Sequence, residues 1–242
     1  MTTPRNPARR DLLKAIGAVV ALNAFSNRAT AAASSKVKIG VIGSGNVGSN
    51  IGRVWAKGGH EVMFASRNLD NDKKLAAEIG ANARAGTPRE AAAFGEVLLF
   101  AVPYGALPEL GKTLGDSIKG KVVLDACNPF PARDGDIATR AREQGAGRVS
   151  AELLPGARIV RAFNAIGAAH MGSANEQPGK IGMPIAGDDK AAIEVASQLI
   201  RELGYEPVLV GGTDMGRYLM PGTPLAGEHS ADDIRKIAAG LK

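Results

Sequence analysis

Val37-Lys38-Ile39-Gly40-Val41-Ile42-Gly43-Ser44-Gly45-Asn46-Val47-Gly48 decides the fold. Residues 37–42 are a short, largely apolar run with β-branched residues, which reads as a buried strand. From Asn46 to Lys57 the apolar positions Val47, Ile51, Val54 and Trp55 fall at three- and four-residue steps, which reads as a helix ended by Gly58-Gly59. Glu61 to Ala65 is a second strand. Between the first strand and the helix lies Gly-x-Gly-x-x-Gly, where a dinucleotide site needs it. Gly43 permits the tight turn, Gly45 a close approach of backbone to a pyrophosphate, and Gly48 close packing of helix on strand. The helix start presents N–H groups and a positive dipole end to phosphate. Gly43, Ser44, Gly45, Asn46 and Val47 are therefore candidate cofactor contacts. A purely structural glycine turn would also suit the loop alone, but not the strand and helix on either side of it.

Outward from this unit, strands and helices alternate. Strands are expected at Ala83–Ala85, 97–102, 122–126, 158–163, 181–186 and 207–210. Helices are expected at 73–79, 89–94, Leu107–Leu114, 137–143, 150–154, 213–219 and 230–241. The longest helix is expected at 188–203, with Asp188 as N-cap. Alternation of this kind predicts an α/β, Rossmann-type doubly wound, mostly parallel sheet with a small C-terminal elaboration. The dinucleotide-binding body is placed at residues 36–228, with 229–242 a helical tail.

The end of the second strand selects the nucleotide. An NAD site places Asp or Glu there to accept from the ribose 2′-hydroxyl. This chain has Ser66-Arg67-Asn68, where a serine and a guanidinium can donate to a 2′-phosphate; Lys73 or Lys74 can add charge, with solvated helix residues the competing reading for both. The reading is NADP(H) rather than NAD(H). An ordinary surface arginine is the competing reading for Arg67.

Residues 1–33 read as something other than fold. Arg9-Arg10-Asp11-Leu12-Leu13-Lys14 precedes a mildly apolar stretch, then a small-residue region with Ala-x-Ala ending at Ala31 and Ala33. This resembles a twin-arginine export signal, which implies a periplasmic product; a cytoplasmic one with a basic tail is the alternative. Of the formal charge of +6, this segment holds +4. The remaining +2 is too small to suggest a nucleic-acid surface. No apolar run approaches the roughly 20 residues of a membrane span, so no integral membrane domain is expected. Cys127 is the sole cysteine, which excludes an intrachain disulfide and argues against a cysteine metal site. It reads as a small buried apolar residue. His60, His170 and His229 read as surface histidines in a turn, a loop and the tail, and no catalytic triad, metal cluster or Lys/His base is evident.

The stretch from Lys36 to Asn68 resembles the deazaflavin-dependent NADP oxidoreductase family, which uses coenzyme factor 420. The likeness continues through Ala101-Val102-Pro103-Tyr104, the stretch from Ile159 to Ile166, and Pro184-Ile185-Ala186-Gly187-Asp188-Asp189. The chain is also similar to the oxidoreductase domain of the six-transmembrane metalloreductases, through 154–164 and 203–207. The resemblance implies hydride exchange between NADP(H) and a deazaflavin or flavin ring (FMN or FAD in the latter case) stacked on the nicotinamide. It implies that Val102, Pro103 and Tyr104 lie near the nicotinamide half, that Asn128 follows the next strand at the same edge, and that Ala162, Asn164 and Ile166 form the pocket floor. It also suggests a homodimer. Asn164 stands where the deazaflavin family has a histidine.

The partner expected is thus a small-molecule redox acceptor. Two other readings fit the N-terminal fingerprint: a reductase of a small carbonyl or imine substrate, and a non-catalytic NADP(H)-binding sensor. The first generally carries a large helical domain, for which the roughly 30 residues after the last expected strand leave little room.

Overall fold

The computed structural model describes residues 36–172, 174 and 179–241. The export segment read from residues 1–33 lies outside them.

The chain runs β1 (Lys38–Ile42), α1 (Asn46–Lys57), β2 (Glu61–Ala65), α2 (Leu69–Ile79), β3 (Ala83–Ala85), α3 (Pro88–Phe94) and β4 (Val97–Phe100). It continues through α4 (Leu107–Leu114), β5 (Val122–Asp125), a single turn α5 (Pro131–Asp134), α6 (Asp136–Gln144), α7 (Ala146–Leu153) and β6 (Arg158–Arg161). Then come β7 (Gly182–Gly187), α8 (Lys190–Glu202), β8 (Glu206–Gly211) and α9 (Ala231–Ala239). One sheet holds the eight strands in the order β3-β2-β1-β4-β5-β6-β7-β8. All pairs are parallel except β6–β7, which is antiparallel. The expected mostly parallel, Rossmann-like α/β sheet is what forms.

The central strands are apolar without alternation because both faces are covered. β4 (VLLF) and β5 (VVLD) are buried at every position. On one face Ile39, Val41, Leu99 and Leu124 meet Ile51 and Trp55 of α1 and Ala192, Ala196, Leu199 and Ile200 of α8. On the other, Ile42, Leu98, Phe100 and Val123 meet Ala91 and Ala92 of α3, Leu107 and Leu114 of α4 and Val149 of α7. Trp55 ties the two helices of the first face together. Its ring is buried and its indole N–H donates to the Leu199 carbonyl at 2.9 Å, closing the end of α8 onto α1.

Several local expectations change: the helix expected at 150–154 is α7, the strand expected at 158–163 ends at Arg161, and 213–218 is a 3₁₀ helix. α2 starts at Leu69, not Lys73, because the Asn68 side chain accepts from the Asn71 N–H and caps it. β4 stops at Phe100, so Ala101 and Val102 leave the sheet as loop. Asp189, not Asp188, caps α8 by accepting from the Ala192 N–H at 3.0 Å; Asp188 instead accepts from the hydroxyl of Thr213 at 2.7 Å. His60 is 1% exposed rather than on the surface. The Val37 N–H donates to its Nδ1 and its Nε2 sits 2.5 Å from Glu202, so the turn after α1 is pinned to the end of α8.

Candidate nucleotide-binding site

β1 lies between β2 and β4, so the direction of winding reverses beside it. Such a reversal leaves a crevice at the carboxyl ends of the strands. Here that crevice is a cavity of about 980 Å³. Its walls are the loop after β1, the end of β2, the residues that β4 releases, and part of α4.

The loop after β1 is shaped by two glycines the protein itself requires. Gly43 has φ +105°, and a Cβ there would lie 2.4 Å from the Ala101 carbonyl oxygen. At Gly48 a Cβ would lie 2.0 Å from the Gly43 carbonyl oxygen, so α1 could not approach β1 as it does. Gly45 is different. Its φ is −66°, and a Cβ there would have nothing within 4 Å. Nothing among the described residues demands glycine at Gly45, whereas a ligand backed against that backbone would. Gly45 also offers no side-chain cap to α1, so the first N–H groups of the helix are left for an external acceptor. Gly43, Ser44 and Gly45 line the cavity; Asn46 and Val47 open the helix behind them. The loop therefore fits a pyrophosphate.

Ser66, Arg67 and Asn68 also line the cavity, next to the glycine loop, whose Gly43 N–H donates to the Ala65 carbonyl at 2.7 Å. The Arg67 side chain is exposed and makes no hydrogen bond or ion pair among the described residues, so its guanidinium is available to an anion. Ser66 is more committed than its position in the sequence suggests. Its hydroxyl donates to the carboxylate of Asp72, 2.9 and 3.0 Å from the two oxygens, and its oxygen accepts from the Asn68 N–H at 3.1 Å. Asp72, from the first turns of α2, is fully buried and also accepts from the Ser44 hydroxyl. Lys73 does not line the cavity; it is exposed and lies 3.8 Å from Asp70.

The residues after β4 divide. Ala101, Val102 and Pro103 line the cavity. Tyr104 does not. It is fully buried, and its hydroxyl donates to the Ala146 carbonyl at 2.8 Å with Ser150 Oγ at 3.0 Å. Burial first, and then the nearby Asp125 charge, push its phenol far above the usual range. Tyr104 thus anchors the 3₁₀ turn Tyr104–Ala106 to α7 rather than facing a ligand.

Arg133 and Asp134, at the turn α5, line the cavity too; nothing in the local sequence pattern marks them, because only the fold brings this turn to the crevice. Arg133 holds Asp134 through Nε at 2.8 Å and Nη2 at 2.7 Å and stacks its guanidinium 5.0 Å from the Phe130 ring centroid. Burial would raise the Asp134 carboxyl, but donors from Arg133 and from the Phe130 and Gly105 N–H groups outweigh it and hold it below the usual range. This guanidinium is already neutralised, unlike that of Arg67.

The residues expected as a pocket floor lie at the carboxyl ends of β5 and β6, outside this cavity. Asn128 is half-buried and its Nδ2 donates to the Asn164 carbonyl at 2.9 Å. Ala162, Asn164 and Ile166 are buried. Phe163 between them has φ +65°, unusual for a bulky side chain, and turns the chain sharply out of β6. Among the described residues, Asn164 Oδ1 and Nδ2 and Asn128 Oδ1 have no hydrogen-bond partner. Cys127, as expected, is buried, its thiol donating to the Phe100 carbonyl at 3.4 Å.

The family model "NADP oxidoreductase coenzyme F420-dependent" matches residues 38–129. An F420-dependent NADP reductase of Methanothermobacter thermautotrophicus is 29% identical over 203 residues, spanning 78% of this chain and 87% of that protein. A hypothetical protein of Sinorhizobium meliloti shares the structure with a TM-score of 0.67 and 25% identity, over 81% of this chain and 96% of that one. A protein of Arthrobacter sp. FB24 follows with a TM-score of 0.66 and 22% identity, over 75% and 87%. The glycine loop, Ser66-Arg67-Asn68 and the residues after β4 all fall inside the matched segment. The chain resembles the coenzyme F420-dependent NADP oxidoreductases, as its motifs led us to expect.

Proposed function

We propose that this chain binds NADP(H) in the cavity at the β1 switch point and exchanges hydride between it and a deazaflavin (coenzyme factor 420) or flavin-type acceptor. The broader class is an NADP-dependent oxidoreductase. The observation that carries the reading is the pairing of an open Gly45 backbone with an unengaged Arg67 guanidinium in one crevice. A dinucleotide 2′-phosphate needs such a charge, and a pyrophosphate such a backbone.

Gly43, Ser44, Gly45 and the first N–H groups at Asn46 and Val47 would hold the pyrophosphate. Arg67 would pair with the 2′-phosphate, and Asn68 would line the wall beside it. Val102 and Pro103 would bound the nucleotide where it crosses β4. Asn128, Ala162, Asn164 and Ile166 would border the nicotinamide and the acceptor ring, where the unpartnered Asn164 amide offers both a donor and an acceptor. NADPH supplies a hydride, leaving NADP⁺, and the acceptor ring takes it up together with a proton from water. The chain's task is to orient and to keep water out; no side chain need move a proton. The homodimer and twin-arginine export are part of the same proposal. The export route carries folded proteins, which would let the chain travel with its nucleotide.

NADPH oxidation measured against factor 420, FMN, FAD and ferric chelates tests this. Turnover with a deazaflavin or flavin, lost in Arg67→Gln at low NADPH, is the expected outcome. Tight NADPH binding with no acceptor reduced would overturn the catalytic reading in favour of a sensor.

A further inference from the structure

Most buried charges in the described residues are matched. Asp125 pairs with Arg161 at 2.8 Å, and His60 with Glu202. Asp72 is the exception. It is fully buried, no cation pairs with it among the described residues, and its side-chain partners are two hydroxyls from two neighbouring loops of the crevice. One is Ser44 on the glycine loop; the other is Ser66 at the end of β2.

A serine hydroxyl has one proton to give. Ser66 gives its proton to Asp72 and already accepts from the Asn68 N–H. Ser44 likewise gives its proton to Asp72. Neither serine keeps a proton for the cavity; each can offer a ligand only a lone pair, with a carboxylate one hydroxyl behind it. A lone pair suits a ribose hydroxyl and repels a phosphate. The other groups facing the 2′-position are Arg67, unengaged, and Asn68, whose Oδ1 is held by α2.

We propose that Asp72 is a specificity-determining residue that acts through Ser66 and Ser44: it withholds their protons, opposes the 2′-phosphate, and leaves preference for NADP(H) over NAD(H) to Arg67 alone. The inference rests on the nucleotide reading above. It also replaces the simpler expectation that Ser66 donates to the phosphate. An acidic group at this corner is the usual mark of an NAD site. Here it is present, but reached through serines and supplied by the helix, where the strand-end motif does not reveal it.

In Asp72→Asn the amide can still accept one hydroxyl, but its N–H₂ donates to the other. That serine then turns its proton to the cavity, and the buried negative charge is gone. Calorimetric titration of the full chain with adenosine 2′,5′-bisphosphate and adenosine 5′-monophosphate reads the effect without any turnover. Asp72→Asn should raise the preference for the bisphosphate by about tenfold, the scale of one unit charge removed at this range. Ser66→Ala should leave that preference within about twofold, whereas Arg67→Gln should abolish it. Thermal melting checks that each variant is folded; if Asp72→Asn is not, the comparison of Ser66→Ala with Arg67→Gln still decides. Equal weakening of both ligands in Asp72→Asn would make Asp72 a scaffold only and overturn the inference. A loss of preference in Ser66→Ala as large as in Arg67→Gln would overturn it too. Failure of the unaltered chain to bind either ligand would instead overturn the nucleotide reading, and this inference with it.

Discussion

Arg67 and Tyr104 show what a residue's neighbours add to its identity. Arg67 was legible because an arginine at the end of the second strand, where an acid usually sits, is a local signal. Tyr104 looked equally local, three residues past an apolar strand, yet its ring turns inward because the Ala146 carbonyl and Ser150 await its hydroxyl. Tyr104→Phe removes that hydrogen bond, so unfolding should cost about 1 kcal/mol less, with NADPH affinity unchanged in a binding titration. Asp125 and Arg161 give a larger test. Both are 0% exposed, and Arg161 also donates to the Cys127 carbonyl at 2.7 Å. Asp125→Ala strands a buried guanidinium, and denaturant melts should show a loss of about 3–5 kcal/mol. Neither this pair nor Asp72 could be read from the sequence, because each partnership joins residues that only the folded sheet brings together.

At the scale of elements the β1–α1–β2 unit was legible to within a residue. Its signals are local: a strand period, a helix period and glycines where backbone crowding demands them. Gly48→Ala sets two of these effects against each other. Alanine should favour the helix by about 1 kcal/mol. The clash 2.0 Å from the Gly43 carbonyl costs more, because backbone must move. We expect a net loss of stability in melts and a larger loss of nucleotide affinity, since the moving segment is the phosphate loop. Helix starts were less legible, because a cap is set by one side chain's choice of partner. Asp189 rather than Asp188 caps α8, and Arg158 grips it through Nε and Nη2, both at 2.7 Å. Those donors, then the Ala192 N–H, hold the Asp189 carboxyl well below the usual range. A depressed folded pKa adds stability that is present above the unfolded value of about 3.9 and is lost as pH falls toward the folded one. Asp189→Asn should therefore flatten the acid side of a stability–pH curve and leave its neutral side parallel to that of the unaltered chain.

For the whole molecule, alternation of strands and helices gave the fold class, and glycine placement gave the crevice. The antiparallel β6–β7 pair and the burial of His60 against Glu202 were not legible, since both depend on how segments more than 20 residues apart meet. Among the described residues no helix is long and apolar enough to cross a membrane. The export proposal has its own check: cell fractionation should find a periplasmic form shortened after Ala31 or Ala33, and a cytoplasmic form retaining residues 1–33 would sink it. The central claim, direct hydride exchange between NADP(H) and a planar acceptor, is tested most directly by label transfer. NADPH deuterated on the transferring face of its nicotinamide is mixed with oxidised factor 420 and the chain, and the reduced ring is analysed by mass spectrometry. Deuterium carried into the deazaflavin ring is the expected result; a ring left unreduced, or reduced with hydrogen from water alone, would contradict it.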